Sequence, residues 1–317
     1  MKFLALIIGL AAVLSPMLPV KAEVETTNIL TAVRNVPDVN LDPNSGMPRS
    51  NPDAQLWQSV NEIRNELAKA EEASLASAPD FEQWLGDIQN NSVKEAFQTK
   101  YGKPLKVSKH YPALQKYLQG LVDKILVVEG KPDLKVKVEL VDELDPSLTE
   151  AFANRKIEVS TGMLQKLQSE AEIVGILAHE VSHVVLRHNT MMSGAYDETK
   201  RLQVIMYKSG LRQGELQKLT GLLNLAYLAE WRSKEQEADA KAASVLKALG
   251  YSPLALAKAL SRLTEPLAQP DQEAWKSDHP SIATRIATIE SSYHGSNEGY
   301  EGTENYLKAI RNLVAKK

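Results

Sequence analysis

The stretch Ser169-Glu170-Ala171-Glu172-Ile173-Val174-Gly175-Ile176-Leu177-Ala178-His179-Glu180-Val181-Ser182-His183 decides how this chain is read. Ser169 followed three residues later by Glu172 is a capping-box signature, so a helix is predicted to begin there with both histidines well inside it. Side chains four apart on a helix lie about 40° apart around the axis and ~6 Å along it, which lets His179 and His183 converge on one ion. Glu180 projects close enough to take a proton from a metal-activated water without itself ligating. These are the mechanics of the His-Glu-x-x-His pattern, whose chance occurrence in a chain of this His and Glu usage is on the order of 1%. The bland alternative, two histidines satisfied inside a core, needs partners for His179, Glu180 and His183 on a helix otherwise filled with Ile, Val and Leu.

A catalytic zinc takes three protein ligands and keeps one position for water. His188 lies five positions past His183, which on a continuing helix is about 140° around the axis. It is therefore expected to point away from the site, as a cation at the helix C-terminus or as the partner of some other polar group. The elongated pattern with a third His six residues on also fails, because Leu186 stands where that pattern needs Gly. Downstream, Ser233-Lys234-Glu235-Gln236-Glu237-Ala238-Asp239-Ala240 puts Glu235 and Asp239 one helical turn apart on one face. A carboxylate from a second helix could complete the site, and a nearby acid could orient a ligating His through its other ring nitrogen. Spacing alone leaves a solvated charged face as the alternative.

Ahead of the metal segment, Leu134 to Leu140 and Lys156 to Ser160 alternate apolar and polar residues, as half-buried strands do. Amphipathic helices are predicted from Asp53 to about Ala76 and from Tyr111 to Leu126, the second with Leu114, Leu118, Leu121, Val122 and Ile125 on one side. Nearly everything after Gly162 reads as helix: Met163 to His188, about Tyr196 to Leu249 with a break at Ser209-Gly210, Pro253 to Leu263, and Ser281 to Ser291. No repeat of solenoid period is present.

The 317 residues, 43% apolar and 24% charged, have the make-up of an ordinary water-soluble globular protein. Met1-Lys2-Phe3, the apolar run to Leu14 and the small-residue site Val20-Lys21-Ala22 read as a secretory signal cleaved after Ala22. No Cys occurs, which excludes lipid attachment at a cleavage-site cysteine, disulfides and thiolate metal sites. The formal charge of −3 becomes more acidic once Lys2 and Lys21 leave with the signal, and suggests neither a nucleic-acid partner nor an anionic membrane surface. Leu219 to Ala229 is too short for a membrane span. The expected organisation is a signal peptide over 1–22, a leader and helical appendage over 23–99, a catalytic domain over 100–292 and a tail helix over 293–317. The expected location is the periplasm or the exterior.

On four stretches the chain resembles peptidase family M48, zinc proteases that include the CAAX prenyl protease and the bacterial heat-shock membrane protease. They are Ile157 to Leu164, Glu172 to His188, Glu235 to Asp239, and Asp278-His279-Pro280-Ser281 followed by Arg285-Ile286. Pro112-Ala113-Leu114-Gln115-Lys116-Tyr117 is a looser match. The resemblance implies a mainly helical α+β, gluzincin-like domain with a small mixed sheet beside the metal helix. It implies one Zn2+ per chain held by His179, His183 and Glu235, with Glu180 as general base and Asp239, His279 and Arg285 around them. It also places the strand containing Ile157 and Val159 to pair with an extended peptide as an added edge strand, with a plain core strand as the alternative.

Three departures bear on substrate preference: Ser182 where the family commonly has Gly, Glu150-Ala151-Phe152 where Asn-Ala-Phe is usual, and a short link through Asn154-Arg155 in place of a Pro-Gly-Gly turn. The function implied is a zinc endopeptidase acting on exported or misfolded envelope proteins, with outer-membrane assembly components as candidate partners. The rival is an envelope assembly factor or chaperone-like binder with a latent zinc site. Pro280 stiffens the turn carrying His279, which is expected near the metal, modulating access.

Overall fold

The computed structural model describes residues 42, 47–76, 79–208, 211–263, 276–293 and 299–315. The expected signal peptide and most of the leader lie outside the described residues. The described elements run α1 (Ala54–Ser74), α2 (Pro79–Tyr101), α3 (Pro112–Val128), β1 (Lys137–Val141), β2 (Glu150–Ala151) and β3 (Lys156–Ser160). They continue as α4 (Thr161–Lys166), α5 (Glu170–Val185), α6 (His188–Lys208), α7 (Gln213–Ala248), α8 (Ala255–Leu263), α9 (Ile282–Ser292) and α10 (Thr303–Val314). This is the mainly helical α+β architecture expected, with a three-stranded mixed sheet.

The stretch read as helical over Met163 to His188 is three pieces, one of which starts at Ser169 as the capping box predicts. Ser160 caps α4 through its hydroxyl, Leu167 is extended, and Ser169 Oγ accepts the Glu172 N–H at 3.2 Å to start α5. Glu172 reaches back to the Gln168 N–H at 2.7 Å, one residue earlier than in a full capping box. At the other end Leu186 closes α5, and Arg187 takes a left-handed φ of 58° that turns the chain into α6. The next helical stretch also divides. α6 ends at Lys208 and α7 begins at Gln213, on either side of the expected break at 209–210, which lies outside the described residues.

Two apolar clusters anchor these pieces. The larger joins α3, the sheet, α4, α5, α8, α10 and the C-terminal half of α7. Gly175 lets α8 approach α5 closely, since a Cβ there would stand 3.1 Å from the Leu256 backbone. The smaller cluster packs α1 against α6 and the N-terminal half of α7. α7, 36 residues long, therefore belongs to both. α10 is no loose tail: Tyr306, Ile310 and Leu313 are buried in the larger core.

The strand order is β1-β3-β2, with β1 parallel and β2 antiparallel to β3. The outer edge of β1 is covered by two glutamines of α3. Gln115 and Gln119 each accept a backbone N–H, from Leu140 and Val138 at 3.1 Å, and each donates to a carbonyl of the same segment. Such cover is what an edge strand needs to avoid pairing with another chain. The remaining edge is that of β2, which runs beside α5. Among the described residues, no helix is long and apolar enough to cross a membrane.

Candidate metal centre

α5 crosses α7 so that His179 and His183 meet Glu235, and all three are buried. The Nε2 atoms of the two histidines are 3.1 Å apart. His183 Nε2 lies 3.2 Å from Glu235 Oε1, and His179 Nε2 lies 3.5 Å from Glu235 Oε2. Two ring nitrogens and a carboxylate therefore face one point. An ion bound about 2.0–2.1 Å from each of its tetrahedral ligands separates those ligands by about 3.3 Å. The observed spacings scatter around that value. The donor set, two imidazoles and one carboxylate, is also that of a hydrolytic zinc. These residues fit the metal, and they form the only group of three with metal-ligand spacing found among the described residues.

The ligands are held from behind. Asp239 Oδ1 sits 2.9 Å from His179 Nδ1, which directs the other ring nitrogen inward. Arg285 of α9 grips Asp239 through Nε at 2.8 Å and Nη2 at 2.7 Å, a two-point pairing that fixes both groups. Its Nη1 reaches Glu235 Oε2 at 3.4 Å. His279, in the turn before α9, approaches the same oxygen with Nδ1 at 3.0 Å.

Burial opposes charge on His179, yet the Asp239 and Glu235 carboxylates outweigh it and raise its pKa to about 10. Burial likewise opposes charge on Glu235, but the His279 and His179 imidazoles hold its carboxyl well below the usual range. The cluster thus demands positive charge at its centre, which a proton or a divalent ion can supply.

His188 corrects the sequence reading. Because α5 stops at Val185 and Arg187 turns the chain, the ring swings back instead of continuing around the helix. His188 Nδ1 stands 3.1 Å from His183 Nδ1 and is buried. It is no C-terminal cation, since burial and the neighbouring His183 push its pKa down to about 2. As a neutral ring it can orient His183 as Asp239 orients His179. The turn that delivers it depends on Arg187, whose Nε donates to Glu82 Oε1 of α2 at 2.6 Å. Nothing in the local sequence announces that long-range contact.

The family model of Peptidase family M48 matches residues 112–292. The chain belongs to peptidase family M48. It is 34% identical to a protease HtpX homolog of Acidiphilium cryptum over 170 residues, covering 47% of this chain and 56% of that one. It is 26% identical to the mitochondrial metalloendopeptidase OMA1 of Schizosaccharomyces pombe over 210 residues, covering 64% and 60%. It is 30% identical to the metalloprotease LoiP of Escherichia coli over 165 residues, covering 51% and 63%. The chain thus spans little more than half the length of these curated relatives. Among solved structures, S. mikatae Ste24p aligns with a TM-score of 0.37 and 18% identity, over 75% of this chain and 66% of that one.

In this M48 chain the cluster of His179, His183 and Glu235 opens into a cavity of about 250 Å³ between α5, β2, the end of α8 and the start of α9. Glu180 lines it, and burial raises the pKa of its carboxyl more than the neighbouring imidazoles lower it. The Ala151 backbone N–H of β2 donates to that carboxylate. The Ala151 carbonyl accepts from Asn189 Nδ2 at 3.0 Å.

The strand expected to receive substrate needs correction. Ile157 and Val159 belong to β3, which is flanked by β1 and β2, and both side chains are fully buried in the core. A central strand has no free edge to offer, and the one beside the metal belongs to β2. Periodicity could not separate the two, because β2 is only two residues long. Its proximity to β3 comes from the tight link in which Arg155 takes a φ of 62°.

Proposed function

We propose that this chain is a zinc-dependent endopeptidase that cleaves exported or misfolded proteins of the cell envelope, one zinc per chain, in the periplasm. The observation that carries the reading is the position of Glu180, beside the ligand cluster but outside it, on the wall of a cavity bordered by an open strand edge. His179, His183 and Glu235 would hold the metal. When bound, zinc supplies Lewis acidity, polarising the scissile carbonyl and making water a stronger acid.

The remaining work belongs to the protein's own groups. An extended peptide lies along the outer edge of β2, where the Ala151 carbonyl keeps a second lone pair for a substrate N–H. Glu180 takes the proton of the attacking water and delivers it to the leaving amine; its raised pKa suits both halves of that exchange. Asp239 and Arg285 keep His179 aligned throughout.

A chaperone-like binder with a latent zinc site would leave Glu180 without a task, because a structural metal site needs ligands and no base. His279 gives the one sign of restraint. Held 3.0 Å from Glu235, it can occupy or hydrogen-bond the open coordination position, so we assign it a role in limiting access. The envelope setting rests on the signal-like N-terminus and on relatives that include a "Beta-barrel assembly-enhancing protease" of Yersinia pestis, 25% identical over 166 residues.

The test is degradation of unfolded exported proteins by the purified chain with and without a zinc chelator. Chelator-sensitive cleavage restored by added zinc is the expected result. Cleavage that ignores the chelator, or none with zinc bound, contradicts the proposal. His279→Ala should keep its zinc and cut short peptides faster. If both rate and zinc content are untouched, His279 has no part in access.

A further inference from the structure

The surroundings of Glu150 are unusual for a carboxylate. Glu150 of β2 lines the cavity together with Glu180, Asp278 and His279. It is half-buried, and among the described residues its carboxylate has neither a hydrogen bond nor an ion pair.

The register puts it directly opposite Glu158, and like charges facing each other across a strand pair destabilise the sheet. Glu158 has its own partners, Asn90 Nδ2 at 2.7 Å and Lys156 Nζ at 3.0 Å. Glu150 has none, and is repelled by Glu180, Glu158 and Asp278 while His279 attracts it. Burial and this crowding push its carboxyl up to about 8, so a cation placed beside it is what would keep it ionised at neutral pH. Nor does it belong to the metal cluster of His179, His183 and Glu235. A carboxylate with no structural partner, held among other carboxylates in an open cleft, is a site for a cation brought from outside.

Resting on the endopeptidase reading above, we propose that Glu150 is a specificity determinant that selects substrates carrying a lysine or arginine side chain at a residue seated on β2 next to the scissile bond. The apolar part of the same cavity, formed by Met163, Ile176, Leu260 and Ile282, would take an uncharged neighbour. The enzyme would then favour segments in which a basic and an apolar residue flank the cut.

The experiment uses the zinc-loaded full chain and a library of peptides blocked at both termini, so that side chains are the only cations, with cleavage sites read by mass spectrometry. Wild type should enrich Lys or Arg at one position within two residues of the cut, by about tenfold over Gln in kcat/KM. Glu150→Gln should erase that enrichment, and Glu150→Lys should replace it with Asp or Glu. A wild type without the preference, or a Glu150→Gln variant that keeps it, overturns the proposal.

Binding supplies a second readout. In Glu180→Gln, the preferred Lys peptide should bind about tenfold more tightly than its Gln counterpart, a difference that vanishes in the Glu150→Gln, Glu180→Gln double variant. Binding discrimination without cleavage by wild type would leave the cation site standing and refute the endopeptidase reading. Cleavage without discrimination does the reverse. Since Glu150→Gln also relieves the repulsion from Glu158, its melting temperature should equal or exceed that of wild type. A lower one would reveal a structural partner and overturn the proposal.

Discussion

On the α7 and α9 wall of the cavity, Arg285 grips Asp239, Asp239 holds His179, and Glu235 receives His279 and Arg285 as well as the two ligating rings. On the β2 and α5 wall, Glu150 has no partner and Glu180 has only the Ala151 backbone and neighbouring charges. The first wall is interlocked, as positioning of a metal requires, because each group's orientation depends on the next. The second keeps its polar groups available, as a surface must that exchanges protons and receives a peptide. On the proposed function, metal retention falls to one wall and turnover to the other, and substitutions can separate them.

The largest effect is expected on the available wall. Glu180→Gln nearly preserves shape but cannot accept a proton from water, so peptide cleavage should fall by about 10²- to 10⁴-fold while fold and bound zinc remain. Comparing the variant's zinc content with its rate checks both halves. If zinc falls with the rate, Glu180 belongs to the retaining wall and the comparison breaks.

On the interlocked wall the measured quantity changes from rate to affinity. Asp239→Asn leaves His179 with a weaker partner and Arg285 without its counter-charge, so zinc affinity should drop by about 10- to 100-fold in a chelator competition. His188→Leu removes the group behind His183 and should cost about tenfold in the same assay. His188→Gln, which keeps a polar group in that place, should recover part of the loss. Equal behaviour of the two His188 variants would reduce His188 to packing.

How much of this was legible beforehand follows the range of the interactions. The two histidines and Glu180 are fixed by spacing within one helix, so their convergence could be read from five residues. Glu235 and Asp239 needed the family resemblance, because a helix face carrying two acids looks the same whether it meets a metal or water. His188 was misplaced because the end of α5 is set by Arg187, whose left-handed turn is held by Glu82 more than a hundred residues earlier in the chain. β3 stayed open between an edge strand and a core strand because two-residue β2 leaves no periodic signal, and the cover of β1 by Gln115 and Gln119 shows only in three dimensions.

The smallest effect concerns that distant support. Glu82 is buried, which raises its pKa, but hydrogen bonds from Arg187, Thr190 and Arg155 more than offset this and leave it below the ordinary glutamate value. A depressed carboxyl contributes stability that is present above its unfolded pKa, about 4.3, and is lost as pH falls through the folded value. Glu82→Gln should therefore lower stability by about 1–3 kcal/mol at neutral pH, with the gap from wild type closing below about pH 4. Urea titrations across that range check it. A gap that stays constant with pH would mean that packing, and not charge, gives Glu82 its role.

The central claim is that His179, His183 and Glu235 together hold the metal, and zinc content tests it most directly. Elemental analysis of the purified chain should find one zinc, and Glu235→Ala should lose most of it, because two imidazoles alone do not make a three-ligand site. Glu237→Ala, two residues further along the same helix and about 200° around it, should keep its zinc. Undiminished zinc in Glu235→Ala, or loss in Glu237→Ala instead, would contradict the account.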